Sequence, residues 1–138
     1  MELITDRTLE DVLQGTQKGR YGVADLNRVE QAVQELYSYA DALGIVPPGQ
    51  IKTDWVFPTA FSALSWPTEL QMRRYLANIT HLCQAVELAG GLPASMENLT
   101  FTGANSIEQA LLGVYPRIQN ALQIIQYSGE IFAGEELL

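Results

Sequence analysis

His81 and Cys83 are the residues of this 138-residue chain whose types come nearest to nucleophilic chemistry, since an imidazole within reach of a thiol can draw off its proton. Their spacing argues against it. Side chains two positions apart on a helix point in divergent directions and cannot share a proton. Cys83 falls on an apolar stripe and reads as a small buried hydrophobe, while His81 lines up with Arg74, Asn78 and Ala85 on the wetter side. A zinc site needs more ligands than one histidine and one cysteine, and the acids are spread along the chain. Acid–base chemistry by carboxylates alone needs two acids brought from distant positions, and no pair stands out. Phosphate-loop, dinucleotide-glycine and G-x-S-x-G patterns do not occur. The expectation is a protein without catalytic residues, metal or cofactor. Arg73 and Arg74 read as surface ion-pair formers, one with Glu69 or Glu87 and the other with Glu135 or Glu136, each pair contributing about 0–1 kcal/mol. Asn78 and Asn105 lie close to packed faces, where an amide can satisfy backbone groups of a loop.

The elements that must position these residues are helices. The clearest begins at Thr68, whose hydroxyl and the Gln71 amide three residues on form a capping box behind Pro67. Met72, Tyr75, Leu76, Ile79, Leu82, Cys83 and Val86 then recur on one face at helical spacing. Before it, Leu26, Val29, Val33, Leu36, Ala40 and Leu43 repeat in steps of three and four, with Asp25 in the first turn and Gly44 as the stop. This seam is short for a coiled coil, so it is expected to pack inside its own chain. A short first helix carries Leu9, Val12 and Leu13 behind Asp6 or Thr8 and ends by Lys18–Gly22. The last helix is expected to start at Asn105, with Glu108 completing a box, and to bury Ile107, Leu111, Val114, Ile118, Leu122 and Ile125. Pro116 lies inside this pattern and predicts a kink or break near Gly113. Asn98–Thr102 alternates briefly enough for one short extended stretch. The fold expected is all-α: a small bundle of three long helices plus a short N-terminal helix, with an aromatic-rich connector, in one domain over 1–138.

Composition narrows the function classes. Sixteen acidic against eight basic side chains give a net charge of -8, which repels phosphate backbones and anionic bilayers, so neither nucleic acid nor membrane is an expected partner. The N-terminal residues lack a basic-then-apolar leader, no apolar run approaches the roughly 20 residues of a span, and a lone cysteine calls for no oxidising compartment. Synthesis and retention in the cytoplasm are expected. On residue chemistry alone the chain reads as a soluble, mainly helical domain.

Two segments stand apart. Between Ile45 and Trp66, adjacent prolines precede a connector carrying Trp55, Phe57, Phe61 and Trp66, a composition foreign to a free linker. It is long enough to be a tied-down crossover, and its aromatics read as plugs on the bundle or as a partner-binding patch. Residues 127–138 read as a tail too polar and Gly-rich to continue a helix, flexible or ordered by a neighbour, with Ile131 and Phe132 as its contact candidates.

Several blocks, taken in order, resemble a known group. They are Ile4-Thr5-Asp6-Arg7-Thr8, Asp25-Leu26-Asn27-Arg28-Val29, Lys52-Thr53-Asp54-Trp55, Pro67-Thr68 with Met72-Arg73-Arg74-Tyr75-Leu76-Ala77-Asn78, Leu92-Pro93-Ala94-Ser95-Met96-Glu97-Asn98-Leu99-Thr100, Gly103-Ala104-Asn105-Ser106-Ile107-Glu108 and Tyr127-Ser128-Gly129-Glu130-Ile131-Phe132-Ala133-Gly134-Glu135. Together they are similar to small proteins encoded in the structural gene clusters of tailed phages and prophages of Firmicutes. The resemblance implies a virion or tail-region structural role through protein–protein contacts, made in the host cytoplasm and carried into the particle. Its implied partners are other phage structural proteins, with a homo-oligomer as a further arrangement. An assembly chaperone or host-factor binder left in the lysate is the alternative. Pro116 and the Phe57–Leu64 insertion depart from the group's pattern, and no functional residue carries over from it.

Overall fold

The computed structural model describes residues 3–19, 21–53, 68–89 and 91–136, with the backbone alone described over 122–136. Its elements are α1 (Leu9–Gln14), α2 (Val23–Ala42), α3 (Glu69–Ala85) and α4 (Phe101–Glu136), and the three long helices pack pairwise against one another. The described residues contain no strand. The all-α bundle with a short N-terminal helix expected from periodicity is what forms.

Each helix starts where its cap chemistry dictates. Thr8 and Asp11 form a reciprocal capping box on α1, as do Thr68 and Gln71 on α3. At α2 the Asp25 carboxylate accepts the Gly22 N–H at 2.8 Å. The stripes then interlock: Val29, Val33 and Leu36 from α2, Tyr75, Ile79 and Leu82 from α3, and Ile107, Leu111 and Val114 from α4 are all essentially inaccessible. Fully burying each such side chain stabilises the fold by about 1.5–3 kcal/mol. The α2 seam from Leu26 to Ala40 is buried inside the chain.

Side-chain pairings reveal that α2, α3 and α4 run in the same direction. Near their starts, Tyr21 meets Tyr75, and Arg28 meets Glu108. Further along, Tyr39 of α2 packs edge-to-face on Tyr115 of α4, and Arg117 donates to the carbonyls of Val86 and Glu87 beyond the end of α3. Parallel neighbours require the chain to travel back the length of a helix each time. That is why residues 43–68 and 86–100 are both long. The first return is seen directly, since Gly49 sits on His81 and Lys52 on Asn78, so the connector descends α3 from its C-terminal half. Asn78 clasps the Lys52 peptide from both sides, accepting its N–H at 3.1 Å and donating to its carbonyl at 2.7 Å.

Five expectations change. The α3 face of Asn78 and His81 is not wet: Asn78 is fully buried and His81 half-buried, because the returning connector covers them. Asn105 is not the cap of α4. The helix begins at Phe101, where the Thr100 hydroxyl accepts the Gly103 N–H, and the expected extended stretch is instead a turn at Asn98 (φ 54) leading into the helix. Pro116 does not break α4, which runs as one helix through it. Pro116 and Leu112, whose carbonyl loses its partner, both face solvent, so water can satisfy the freed group and the buried stripe on the opposite side is kept. Finally, the α4 backbone stays helical through Glu136, where the sequence predicts a non-helical tail from 127.

The Gly49–His81 contact leaves no room for a side chain: a Cβ on Gly49 would lie 2.2 Å from His81 Cε1. Gly49→Ala is expected to destabilise by about 1–3 kcal/mol. In a chemical-denaturation double-mutant cycle, His81→Ala recovers most of that loss, and strict additivity of the two changes contradicts the packing.

Candidate functional site

The feature that stands out is a cluster of charges sealed at the end of the bundle where the helices start. Arg7 reaches in from the segment before α1. Its Nη2 donates to Asp25 Oδ1 at 3.1 Å and to Glu108 Oε2 at 2.6 Å, Nη1 to the Ile4 carbonyl at 2.9 Å, and Nε to the Lys18 carbonyl at 3.1 Å. A longer contact of Nη1 with Asn105 Oδ1, 3.4 Å, uses the remaining donor of the guanidinium. Arg28 forks onto Glu108 with Nε–Oε1 2.8 Å and Nη2–Oε2 3.0 Å, and also reaches Asp25 at 2.6 Å. Glu108 accepts a further bond from the Ile4 N–H at 3.1 Å. Two arginines thus face two carboxylates, and Arg7, Asp25 and Glu108 are all buried.

The backbone of Arg7 is fixed as well. Asn105 accepts its N–H at 3.0 Å and donates to its carbonyl at 2.9 Å, the same clasp that Asn78 makes on Lys52. Both asparagines therefore satisfy backbone groups, as their place near packed faces suggests, although Asn105 is not the cap of α4 and Asn78 is not on a wet face. The Arg7 guanidinium lies over the Tyr21 ring, 5.4 Å from the centroid, and the Tyr21 hydroxyl bonds to that of Tyr75 in the core. Burial pushes both phenols well above their usual range. The carboxylates of Asp25 and Glu108 hold the Arg28 guanidinium charged against its desolvation.

Chemically this is a lock. The lone pairs of Glu108 are taken by four donors, leaving it no vacancy for a substrate proton. What the lock holds is the unit 8–19. Within it, Thr16 bonds to Asp11, and Gly19 packs so closely that a Cβ would lie 2.4 Å from the Asp11 carbonyl oxygen. Arg7 ties both ends of the unit, since it precedes α1 and also holds the Lys18 carbonyl. Yet α1 itself buries nothing: Leu9, Val12 and Leu13 are 58%, 42% and 78% exposed. Beneath Leu9 and Val12 lies a cleft of about 350 Å³ floored by Leu99, Phe101 and Ala104. Across Tyr21, a larger open groove of about 1020 Å³ is lined by Leu26, Met72, Leu76 and Met96.

Of the sequence-predicted contact residues, Trp55, Phe57, Phe61 and Trp66 lie outside the described residues, and Ile131 and Phe132 lie on α4 where only the backbone is described. Cys83 is buried, and burial pushes its thiol up. His81 Nδ1 is buried with no hydrogen-bond partner among the described residues. Arg73 forms the expected exposed pair with Glu69 at 2.6 Å. Among the described residues, no group of three or more His, Cys, Asp or Glu side chains is arranged to hold a metal ion, and no helix is long and apolar enough to cross a membrane. Compared with known proteins, the chain matches no family model, no curated protein and no solved structure.

Two outcomes follow from the cluster. Arg7→Ala strands Glu108 and Asp25 beside one remaining cation and is expected to cost about 3–5 kcal/mol in chemical denaturation; a loss below about 1 kcal/mol contradicts the lock. At alkaline pH, the unfolded chain loses its phenol protons above about pH 10 while folded Tyr21 and Tyr75 keep theirs. The stabilisation is therefore complete below that pH and declines as pH rises beyond it. Followed by ultraviolet phenolate absorbance, two of the six tyrosines ionise only together with unfolding. Ionisation of all six in the intact fold overturns this.

Proposed function

We propose that this protein is a non-catalytic structural subunit of a tailed-phage or prophage virion, associated with the particle or its tail and acting through contacts with other phage structural proteins. The phage assignment comes from the ordered sequence blocks that resemble proteins of those gene clusters. The contact mode is supported by one observation above the others. Leu9, Val12 and Leu13 form an i, i+3, i+4 apolar stripe on a helix that buries none of them, in a unit anchored through Arg7. A rigidly held apolar knob loses little conformational entropy on docking, which suits a surface meant for a neighbour. The aromatic connector residues Trp55, Phe57, Phe61 and Trp66, and Ile131 and Phe132 near the C-terminus, are further contact candidates within the same reading.

The decisive experiment is mass spectrometry of gradient-purified particles after prophage induction. The chain is expected at repeat stoichiometry with the virion subunits. Abundance in the lysate with absence from intact particles replaces this reading by an assembly chaperone or host-factor binder. In the same assay, Leu9→Glu with Leu13→Glu keeps the melting temperature within a few degrees, since both sites are exposed, but lowers incorporation by about tenfold or more. Undiminished incorporation removes α1 as the contact. Phe132→Asp tests the C-terminal candidates likewise: folding intact and assembly impaired is expected, and unchanged assembly rejects them.

A further inference from the structure

The open groove of about 1020 Å³ across Tyr21 is built from three separate stretches of chain. Leu26 comes from α2, Met72 and Leu76 from the first two turns of α3, and Met96 and Leu99 from the return before α4. Both methionines other than Met1 therefore meet in it. Met72, Met96 and Leu99 pack against the core and stay half-buried, so each still offers apolar surface to the groove. The Tyr21 side chain is held from two sides, by the Tyr75 hydroxyl and by the Arg7 guanidinium over its ring. The charged residues of the lining are Glu69, Arg73 and Glu97. Arg73 is spent on Glu69 at 2.6 Å, whereas Glu97 is exposed and its carboxylate has no ion-pair partner among the described residues. The positive dipole ends of α2 and α3 at this end of the bundle are already met by Asp25 and Glu69.

We infer that this groove is a docking site for a basic amphipathic helix of a partner protein. Three features select that occupant. Methionine is unbranched and polarizable, so a methionine-lined groove repacks around the aliphatic anchors that a helix presents at i, i+3, i+4 and i+7. The groove is open to solvent, so its occupant must keep a polar face in water, which an amphipathic helix does and a wholly apolar ligand does not. Charge complementarity then fixes the sign of that face. With Arg73 neutralised by Glu69, the uncompensated charge of the lining is Glu97, and the chain as a whole carries -8, so lysines and arginines are attracted. An acidic helix is repelled, and so is a second copy of this chain. Because three packed elements form the groove before any partner arrives, docking spends little on ordering it. This inference depends neither on the phage assignment nor on α1 as a contact, and it is tested on the purified chain.

The probe is a synthetic peptide of about 18 residues with leucines at i, i+3, i+4 and i+7 and lysines between them, beside a counterpart with glutamate for every lysine. Binding is followed on the full chain labelled with carbon-13 at its methionine methyls, the Met72 and Met96 signals being assigned through Met72→Leu and Met96→Leu. The lysine peptide is expected to bind at about 1–100 μM and to move both signals along one isotherm. Its affinity falls as NaCl rises from about 0.05 to 0.5 M, and the glutamate peptide binds at least about tenfold more weakly. Met72→Gln with Met96→Gln, which changes no charge, weakens binding about tenfold or more, with circular dichroism checking the fold. Glu97→Gln weakens it about two- to fivefold at low salt only. Leu70→Gln, at an exposed leucine of α3 outside the groove, leaves it intact. No binding below about 1 mM, binding that leaves either methyl unmoved, or equal affinity for the glutamate peptide each overturns the assignment. So does octyl glucoside moving both methyls where the lysine peptide does not, which would make the groove a site for a small apolar ligand.

Discussion

The structure depends on one guanidinium. Arg7 is buried, and its donors are shared among three stretches of chain: the Asp25 carboxylate of α2, the Glu108 carboxylate of α4, and the Ile4 and Lys18 carbonyls of its own segment. A buried charge cluster of this kind contributes little net stability compared with apolar residues of similar volume, because desolvation offsets the Coulomb attraction. Its effect is conditional. Once Glu108 has been placed in the core, the two arginines become obligatory, and with Arg7 comes the whole N-terminal segment. The cluster thus specifies where residues 3–19 go more than it strengthens the bundle.

The same logic of satisfying buried polar groups governs the rest of the architecture. Three parallel helices place three positive dipole ends together, and Asp25 and Glu69 in the first turns of α2 and α3 oppose them with negative charge. At the opposite end, the cation Arg117 meets carbonyls beyond α3, at Glu87, whose φ of 56 turns the chain. Parallel packing also forces extended segments to run back across the helices, and their peptides need partners. Asn78 and Asn105 supply them as a neighbouring strand would, one donor and one acceptor each. Two asparagines thereby hold the connector and the N-terminal segment against a bundle that would otherwise bury their backbones unpaired.

Much of this was legible in the sequence. The Thr68–Gln71 box, the stripes of α2 and α3 and the Ile107–Ile118 stripe of α4 are local patterns, and local patterns fix helices. The charge cluster was not, although a trace of it was visible: Glu108 lies four residues after Ala104 and three before Leu111, an acid on an apolar stripe. The box reading assigned it to a cap instead, because Asn105 and Glu108 have box spacing whether or not the helix starts there. Arg7 gave no signal, since its partners lie as far as 101 positions away. The persistence of α4 through Pro116 was hidden for a similar reason: the cost of proline depends on which face its missing bond falls on, and that is decided by tertiary packing. The predicted wet face of α3 failed because periodicity cannot foresee a loop folding back over it.

The central claim is that residues 3–19 are held to the core through Arg7. Native-state hydrogen exchange tests it most directly at the amides of Ile4 and Arg7, which donate to Glu108 and Asn105. The account predicts that both exchange only through the same global opening that exposes Ile79 and Leu111 in the centre of the bundle, with matching free energies and matching denaturant dependence. Exchange of Ile4 and Arg7 by low-energy local fraying, while the core amides remain protected, would contradict it.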